Sequence, residues 1–386
     1  MKKFLILLAA LALAACASDQ TKNPQASSAS SKEAELSPVG VIPTTLLHDP
    51  QRNKDIDLSI EYPTRGGPFP VIIVSHGFGA SNRAYESLVA NWTGHGYVVI
   101  RPAHADAGAI REATRDLTAP PQPQERQSRG RRNDQNAKQA PVFRPAPDEL
   151  IWDKQREPQW RDRARDISLV IDSLPDLEVK FPELKGKIDR TKIGVAGHAY
   201  GAFTALLLAG MKADDLQLGD PRVTAVLAMS PEGVSANRGL TAESFRNIKI
   251  PVMFMTGSAD FGASETETPE WRKTAFENSP AGDKYWVLIQ QARHTTFTGM
   301  AAPYQGTSAP PMMIPTGRID PMTGQPIYVE EQQRGNTSYI PERSLFERIR
   351  SLGLTFWDAY LKGEAKAKES LAAAEPQGSN VIMEKK

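Results

Sequence analysis

Gly197-His198-Ala199-Tyr200-Gly201 has the spacing of a nucleophile elbow, G-x-S-x-G, with alanine at the central position. In such a motif the central side chain stands on a sharp strand-to-helix turn. Glycines two residues to either side let the backbone close around it. Residues 192–196 read as the strand leading in and residues 202–210 as the apolar helix leading out. The chemistry this turn serves is acyl transfer, in which a serine oxygen attacks a carbonyl carbon. Here the glycines are kept and the hydroxyl is gone. Loss of a triad serine typically costs on the order of 10⁶ in turnover and leaves about 10³–10⁴ over water. The chain as written is therefore predicted to be inactive or nearly so.

The partners of a missing nucleophile can still be sought. Elbow hydrolases follow the chain order nucleophile, acid, histidine. Position 199 is followed by Asp260, in Gly257-Ser258-Ala259-Asp260, and by His294, in Ala292-Arg293-His294. Each lies just past an apolar run that reads as a buried strand, where open α/β sheets place their sites. His294 would act as general base and then general acid. Asp260 would set its tautomer and stabilise the imidazolium. Glu232, in Met229-Ser230-Pro231-Glu232, is the alternative acid, after the preceding strand. An oxyanion hole needs two backbone N–H donors. Tyr200, after the nucleophile position, would supply one, and Phe78, in Ser75-His76-Gly77-Phe78-Gly79, the other. A plain strand–helix turn also explains that loop.

The remaining histidines carry less. His198 occupies the variable elbow position and should pack beneath the turn. His104-Ala105-Asp106 offers two ligand types, which do not make a metal site. No metal or cofactor is expected, and neither a P-loop nor a dinucleotide fingerprint is present. Tyr200, Ser75 and Ser230 are poor substitutes for the lost hydroxyl, because Tyr200 is needed for its N–H and the serines end other strands.

The elements that must position these residues follow from periodicity. Strands are predicted over 55–62, 70–74, 97–100, 192–196, 223–229, 251–256 and 284–289. Helices are predicted over 82–93, 161–174 and 342–361. Strands alternating with helices imply the α/β class: a doubly wound, mostly parallel sheet covered on both faces. One domain is expected over 39–373. Residues 119–148, rich in Pro, Gln and Arg, read as a mobile basic insertion, either a patch for anionic lipid or polysaccharide or a solvated loop. Residues 301–340 read as a long loop, a candidate lid. Residues 374–386 read as a disordered tail.

The first residues look like a targeting segment. Lys2 and Lys3 precede an apolar run over 4–13, and Leu13-Ala14-Ala15-Cys16 closes it. This is similar to a bacterial lipobox, which implies a signal peptide over 1–15, lipidation at Cys16 and a flexible tether over 16–38. Ala17 and Ser18 then imply outer-membrane sorting. Cys16 is the only cysteine, so no disulfide is available to the domain. With 386 residues and 40% hydrophobic content, a large core can replace it. The net charge of +1 argues against nucleic-acid binding and strong electrostatic steering. Expected partners are a small-molecule ester and the lipid that holds the anchor; the sequence leaves oligomeric state open.

Several stretches together resemble a known family. Val74–Gly79, Arg101-Pro102-Ala103-His104, Arg161–Asp166, the elbow, Gly257–Asp260 and Ala292–His294 resemble the dienelactone-hydrolase-like α/β-hydrolases. These are related to the group-VII-type platelet-activating-factor acetylhydrolases and, more distantly, to bacterial cutinases and polyester hydrolases. The resemblance covers about residues 40–300 and the closing helix. It implies an α/β-hydrolase fold and a cofactor-free serine esterase of short-chain or small carboxylic esters. A true dienelactone hydrolase has cysteine at the elbow, which this chain lacks. Ala199 is then either an engineered removal, of the kind used to trap substrate, or the mark of a natural pseudoenzyme that binds a ligand or partner at the surface.

Overall fold

Alternation along the buried strands decides the architecture. Ile73, Val195, Val226 and Phe254 face one apolar layer, while Ile72, Ala196, Leu227 and Met255 face the other. A sheet that is apolar on both sides must be covered on both sides. A computed structural model of the chain describes residues 36–108, 157–262, 267–299, 313–319, 326–330, 340–373 and 379–386. Its main sheet has nine strands: β1 (Val39–Asp49), β2 (Lys54–Pro63), β3 (Phe69–Ser75), β4 (Val98–Pro102), β5 (Ile188–His198), β6 (Val223–Met229), β7 (Val252–Ala259), β8 (Lys284–Arg293) and β9 (Val381–Lys385). Their order is β1-β2-β4-β3-β5-β6-β7-β8-β9. The six strands from β4 to β8 pair in parallel, and the outer pairings are antiparallel. This is the α/β-hydrolase fold that the alternation implied.

Helices cover both faces. On one side lie α2 (Glu157–Asp172), α4 (Tyr200–Leu208) and α5 (Pro269–Asn278), with Ile167, Phe203 and Phe276 in the apolar layer. A short α3 (Leu174–Lys180) follows α2. On the other lie α1 (Glu86–Gly94), α6 (Glu342–Trp357) and α7 (Ala365–Ala372), with Trp92 and Trp357 packed edge to face, ring centroids 5.9 Å apart. α4 is buried all round, so its sequence carries no polar face.

The register sets the site. Ser75 pairs with Gly197, His198 with Met229, and Met229 with Met255, while Arg293 lies opposite Ala259. The carboxyl ends of β3, β5, β6, β7 and β8 therefore finish level, and the residues after them emerge along one edge.

Two expectations need correction. The tail over 374–386 is not disordered throughout: Val381–Lys385 is β9, paired antiparallel with β8, Ile289 opposite Val381 and Tyr285 opposite Lys385. The outer edge of β8 would otherwise expose unpaired backbone groups, and a strand that covers it removes that cost. The run Val381-Ile382-Met383 was the overlooked signal, and the domain extends to Lys386. Part of the stretch over 301–340 is not loop, since Met313–Ile319 and Pro326–Glu330 form an antiparallel hairpin. The signal segment, Cys16, the insertion over 119–148 and the rest of 301–340 lie outside the described residues. The end of the expected tether is docked, with Ser37 N–H donating to the Gly94 carbonyl at 2.8 Å.

Candidate active site

β5 ends in a turn whose geometry answers the spacing of its glycines. Ala199 has φ 52° and ψ −117°, a left-handed conformation that costs a non-glycine residue energy. A Cβ on Gly197 would lie 2.0 Å from the Gly201 carbonyl oxygen, and one on Gly201 would lie 2.0 Å from that of Ser75. No side chain fits at either place. The strained turn is held from the sheet side by Ala199 N–H donating to the Met229 carbonyl at 3.0 Å. From the helix side, Ala202 and Phe203 donate to the Ala199 carbonyl at 2.8 and 3.1 Å. The elbow is thus formed around a methyl group.

Asp260 and His294 are brought together. His294 Nδ1 donates to Asp260 Oδ1 at 2.9 Å. The carboxylate is fully buried, whereas the His294 side chain is 38% exposed, so one end of the pair is anchored and the other reaches solvent. The second carboxylate oxygen accepts from Ser230 Oγ at 2.5 Å and Thr256 Oγ1 at 2.7 Å. Arg272 lies 3.4 Å from Oδ1 and donates to the Ser230 and Pro231 carbonyls at 3.3 and 3.0 Å. Burial alone would push the Asp260 carboxyl up. The Arg272 charge and the hydrogen bonds from His294 and Ser230 outweigh it and hold Asp260 well below the usual carboxylate range. An acid that stays ionised in a buried cage can orient an imidazole without taking its proton.

The elbow reaches this pair through His198, whose ring centroid is 4.5 Å from that of His294. Phe297 stacks on His198 with centroids 5.9 Å apart. As expected, His198 packs beneath the turn: it is buried, and its Nδ1 is 3.0 Å from the Tyr85 hydroxyl, which also accepts from Gly77 N–H at 3.2 Å. Burial, with His294 alongside, pushes its pKa well down, so it stays neutral.

The loop bearing Phe78 lies against the elbow. Phe78 and Tyr200 pack edge to face with centroids 6.2 Å apart, and Gly77 sits over the His198 carbonyl. Glu232, the alternative acid, is paired instead with Arg238. His104 and Asp106, the two-residue metal candidate, turn to different partners, Asp166 and Arg163.

One cluster escaped the sequence reading. Ser75 Oγ lies 2.9 Å from His104 Nε2, and His104 Nδ1 lies 2.9 Å from Asp166 Oδ2. This is a second Ser–His–Asp array. Asp166 is balanced by Arg52 at 2.8 Å and Lys54 at 2.9 Å. Burial drives the His104 pKa well below its ordinary value. Arg161–Asp166 had been noted as a pattern, but nothing local ties residues 75, 104 and 166 together.

Comparison with known proteins bears on the fold and on the first part of the chain. Residues 53–219 match the family model described as platelet-activating factor acetylhydrolase, isoform II, a span that includes Phe78 and the elbow but neither Asp260 nor His294. Platelet-activating factor acetylhydrolase of Canis lupus familiaris is 27% identical over 150 residues, 36% of this chain and 32% of that protein. The Bos taurus protein of the same name is 27% identical over 154 residues, with the same coverage. A putative phospholipase A2 of Schizosaccharomyces pombe is 27% identical over 169 residues, 40% of this chain and 38% of that one. The matched segment thus spans between 32% and 38% of these relatives' length. In structure, the chain is similar to a ferulic acid esterase from Streptomyces cinnamoneus, with TM-score 0.53 and 19% identity, covering 90% of this chain and 96% of that one. That likeness bears on fold alone. The chain has the α/β-hydrolase fold and is similar, over residues 53–219, to the isoform II family of platelet-activating-factor acetylhydrolases.

Proposed function

We propose that this chain carries the site of a serine-type carboxylic ester hydrolase, acting on short-chain or small esters, with its nucleophile position occupied by Ala199. The observation that carries the reading is the buried, caged Asp260 holding a half-exposed His294 beside a strained elbow. In the Ala199→Ser protein the hydroxyl would attack the ester carbonyl as His294 takes its proton through the ring nitrogen not bound to Asp260. The Phe78 and Tyr200 N–H groups would receive the developing oxyanion. His294 would then protonate the leaving alcohol, and water would release the acid by the same steps. With a methyl at 199 the first bond cannot form, so the chain as written is inactive or nearly so.

The test is the Ala199→Ser protein with p-nitrophenyl acetate and butyrate, beside a fluorophosphonate probe. Turnover, with labelling at position 199 alone, is expected. No gain over the Ala199 protein in either assay would leave the second reading, which Ala199 itself favours: a pseudoenzyme that uses the pocket to hold a ligand. That reading predicts a thermal shift with esters or acids in both proteins and turnover in neither.

The reading extends to location. An exported lipoprotein held in the outer membrane through Cys16 would carry this site next to lipid. Labelled palmitate should enter the wild chain and not Cys16→Ser, and the variant should leave the membrane fraction. Retention of Cys16→Ser in that fraction would contradict the anchor.

A further inference from the structure

The oxyanion loop borders a cavity of about 220 Å³, lined by Lys54, Phe78, Ala105, Asp106, Arg163 and Asp166 among others. On the side that faces this cavity the loop has fewer packing partners. Polar tethers hold it there, and they converge on one guanidinium. Arg163, on α2, is buried. Its Nη2 donates to the His76 carbonyl and lies 3.4 Å from Ser75 Oγ. Its Nη1 donates to Asp106 Oδ1 at 2.5 Å, and its Nε donates to Thr204 Oγ1 at 3.2 Å. Its Cζ lies 4.4 Å above the centre of the Tyr200 ring. The other Asp106 oxygen accepts from Gly79 N–H at 2.9 Å.

These contacts bracket both expected oxyanion donors. His76 and Gly79 flank Phe78 by two residues and one, and both are tied to the Arg163–Asp106 pair. Tyr200 lies beneath the same guanidinium, and Thr204, one turn on, accepts from it while donating to the Tyr200 carbonyl at 3.1 Å. The second Ser–His–Asp array supports the loop from below. His104 N–H donates to His76 Nε2 at 3.0 Å, and His76 Nδ1 donates to the Gly77 carbonyl at 2.7 Å. A planar fork with several fixed donors can join two elements in one geometry, as a flexible ammonium cannot.

We propose that Arg163 and Asp106 are positioning residues that lock the loop bearing Phe78 to the elbow bearing Tyr200, so that the two N–H donors converge before substrate arrives. The proposal rests on the ester-hydrolase reading. An oxyanion hole accelerates a reaction because its donors need no reorganisation when charge develops. Loosening the pair should therefore weaken transition-state binding and leave ground-state binding nearly as it was.

The experiment has two arms. In the Ala199→Ser protein, Asp106→Ala should lower kcat on p-nitrophenyl butyrate by roughly 10- to 100-fold with KM changed less than about threefold, part of what loss of a whole donor costs. Asp106→Asn, which keeps an acceptor for Gly79 N–H, should lose less. An unchanged kcat in Asp106→Ala, or a loss carried by KM, overturns the proposal. The second arm needs no serine. In the Ala199 protein, the order parameter of the Phe78 amide should fall from about 0.85 to below about 0.6 in Asp106→Ala, while those of β3 and β5 stay rigid. A Phe78 amide that stays rigid also overturns it. If Ala199→Ser shows no turnover, the hydrolase reading fails by itself, and the amide arm still decides whether the pair locks the loop.

Discussion

One complete Ser–His–Asp array and one His–Asp pair beside an alanine-centred elbow lie along one edge of the sheet. Ser75, His104 and Asp166 are joined by two hydrogen bonds of 2.9 Å. Yet Ser75 is fully buried, His104 nearly so, and burial keeps the imidazole neutral. At the other, the hydroxyl is missing, but the elbow is strained, Asp260 is caged and ionised, and His294 is 38% exposed. The His–Asp hydrogen bonds, 2.9 Å in both, do not separate the two. Solvent access and backbone strain do: water reaches His294 and is excluded from His104.

The sharpest way to break the comparison is to restore the hydroxyl. Ala199→Ser should raise ester turnover by up to on the order of 10⁶. Fluorophosphonate should label position 199 and leave Ser75 unmodified; peptide mapping that finds the label on Ser75 would reverse the assignment. Next in size is the acid. In the Ala199→Ser background, Asp260→Asn should cost about 10⁴ in kcat, because the amide no longer holds the tautomer His294 needs. Asp166→Asn should instead act on stability. It leaves Arg52 and Lys54 without their buried anion, which typically costs about 3–5 kcal/mol, and urea unfolding would show it.

Acid acts on the buried imidazoles of both regions. Burial, with Arg163 beside it, pulls the His76 pKa from 6.5 down to about 4. As pH falls below 6.5, the unfolded chain takes up a proton before the folded one does. The stability present above 6.5 is thus lost progressively toward pH 4, on the order of 3 kcal/mol for this residue. His104 and His198 are shifted in the same direction and add to the loss. Urea midpoints that stay flat between pH 7 and 4 would contradict these buried neutral imidazoles. The smallest expected effect concerns the rival acid. In the Ala199→Ser background, Glu232→Gln should change kcat by less than about threefold, since Glu232 is occupied with Arg238; a loss near 10⁴ would move the acid role to it.

Much of the candidate site was legible because its signals are local. Glycine at 197 and 201 answers a steric demand that no other residue meets, and Asp260 and His294 each follow an apolar run that ends a strand. The supports were illegible because they are long-range. Ser230 and Thr256 cage Asp260 from two strands, and Arg163 joins four segments through one side chain. Helix α5 carried a local start signal, Thr268 accepting from Trp271 N–H with Pro269 behind it, that was not read. β9 went unread because its residues follow a polar stretch, and only the bare edge of β8 explains why they pair.

By itself the sequence determined the α/β class, the elbow with its vacant centre, and the order of acid and histidine. These depend on apolar period and on backbone sterics, both of which act within a few residues. Tertiary structure alone decided which histidine faces solvent, that Asp260 rather than Glu232 meets His294, and that one arginine ties the loop bearing Phe78 to the elbow. Those outcomes depend on burial and on charge pairing between segments far apart in the chain, and only the folded sheet brings such segments together.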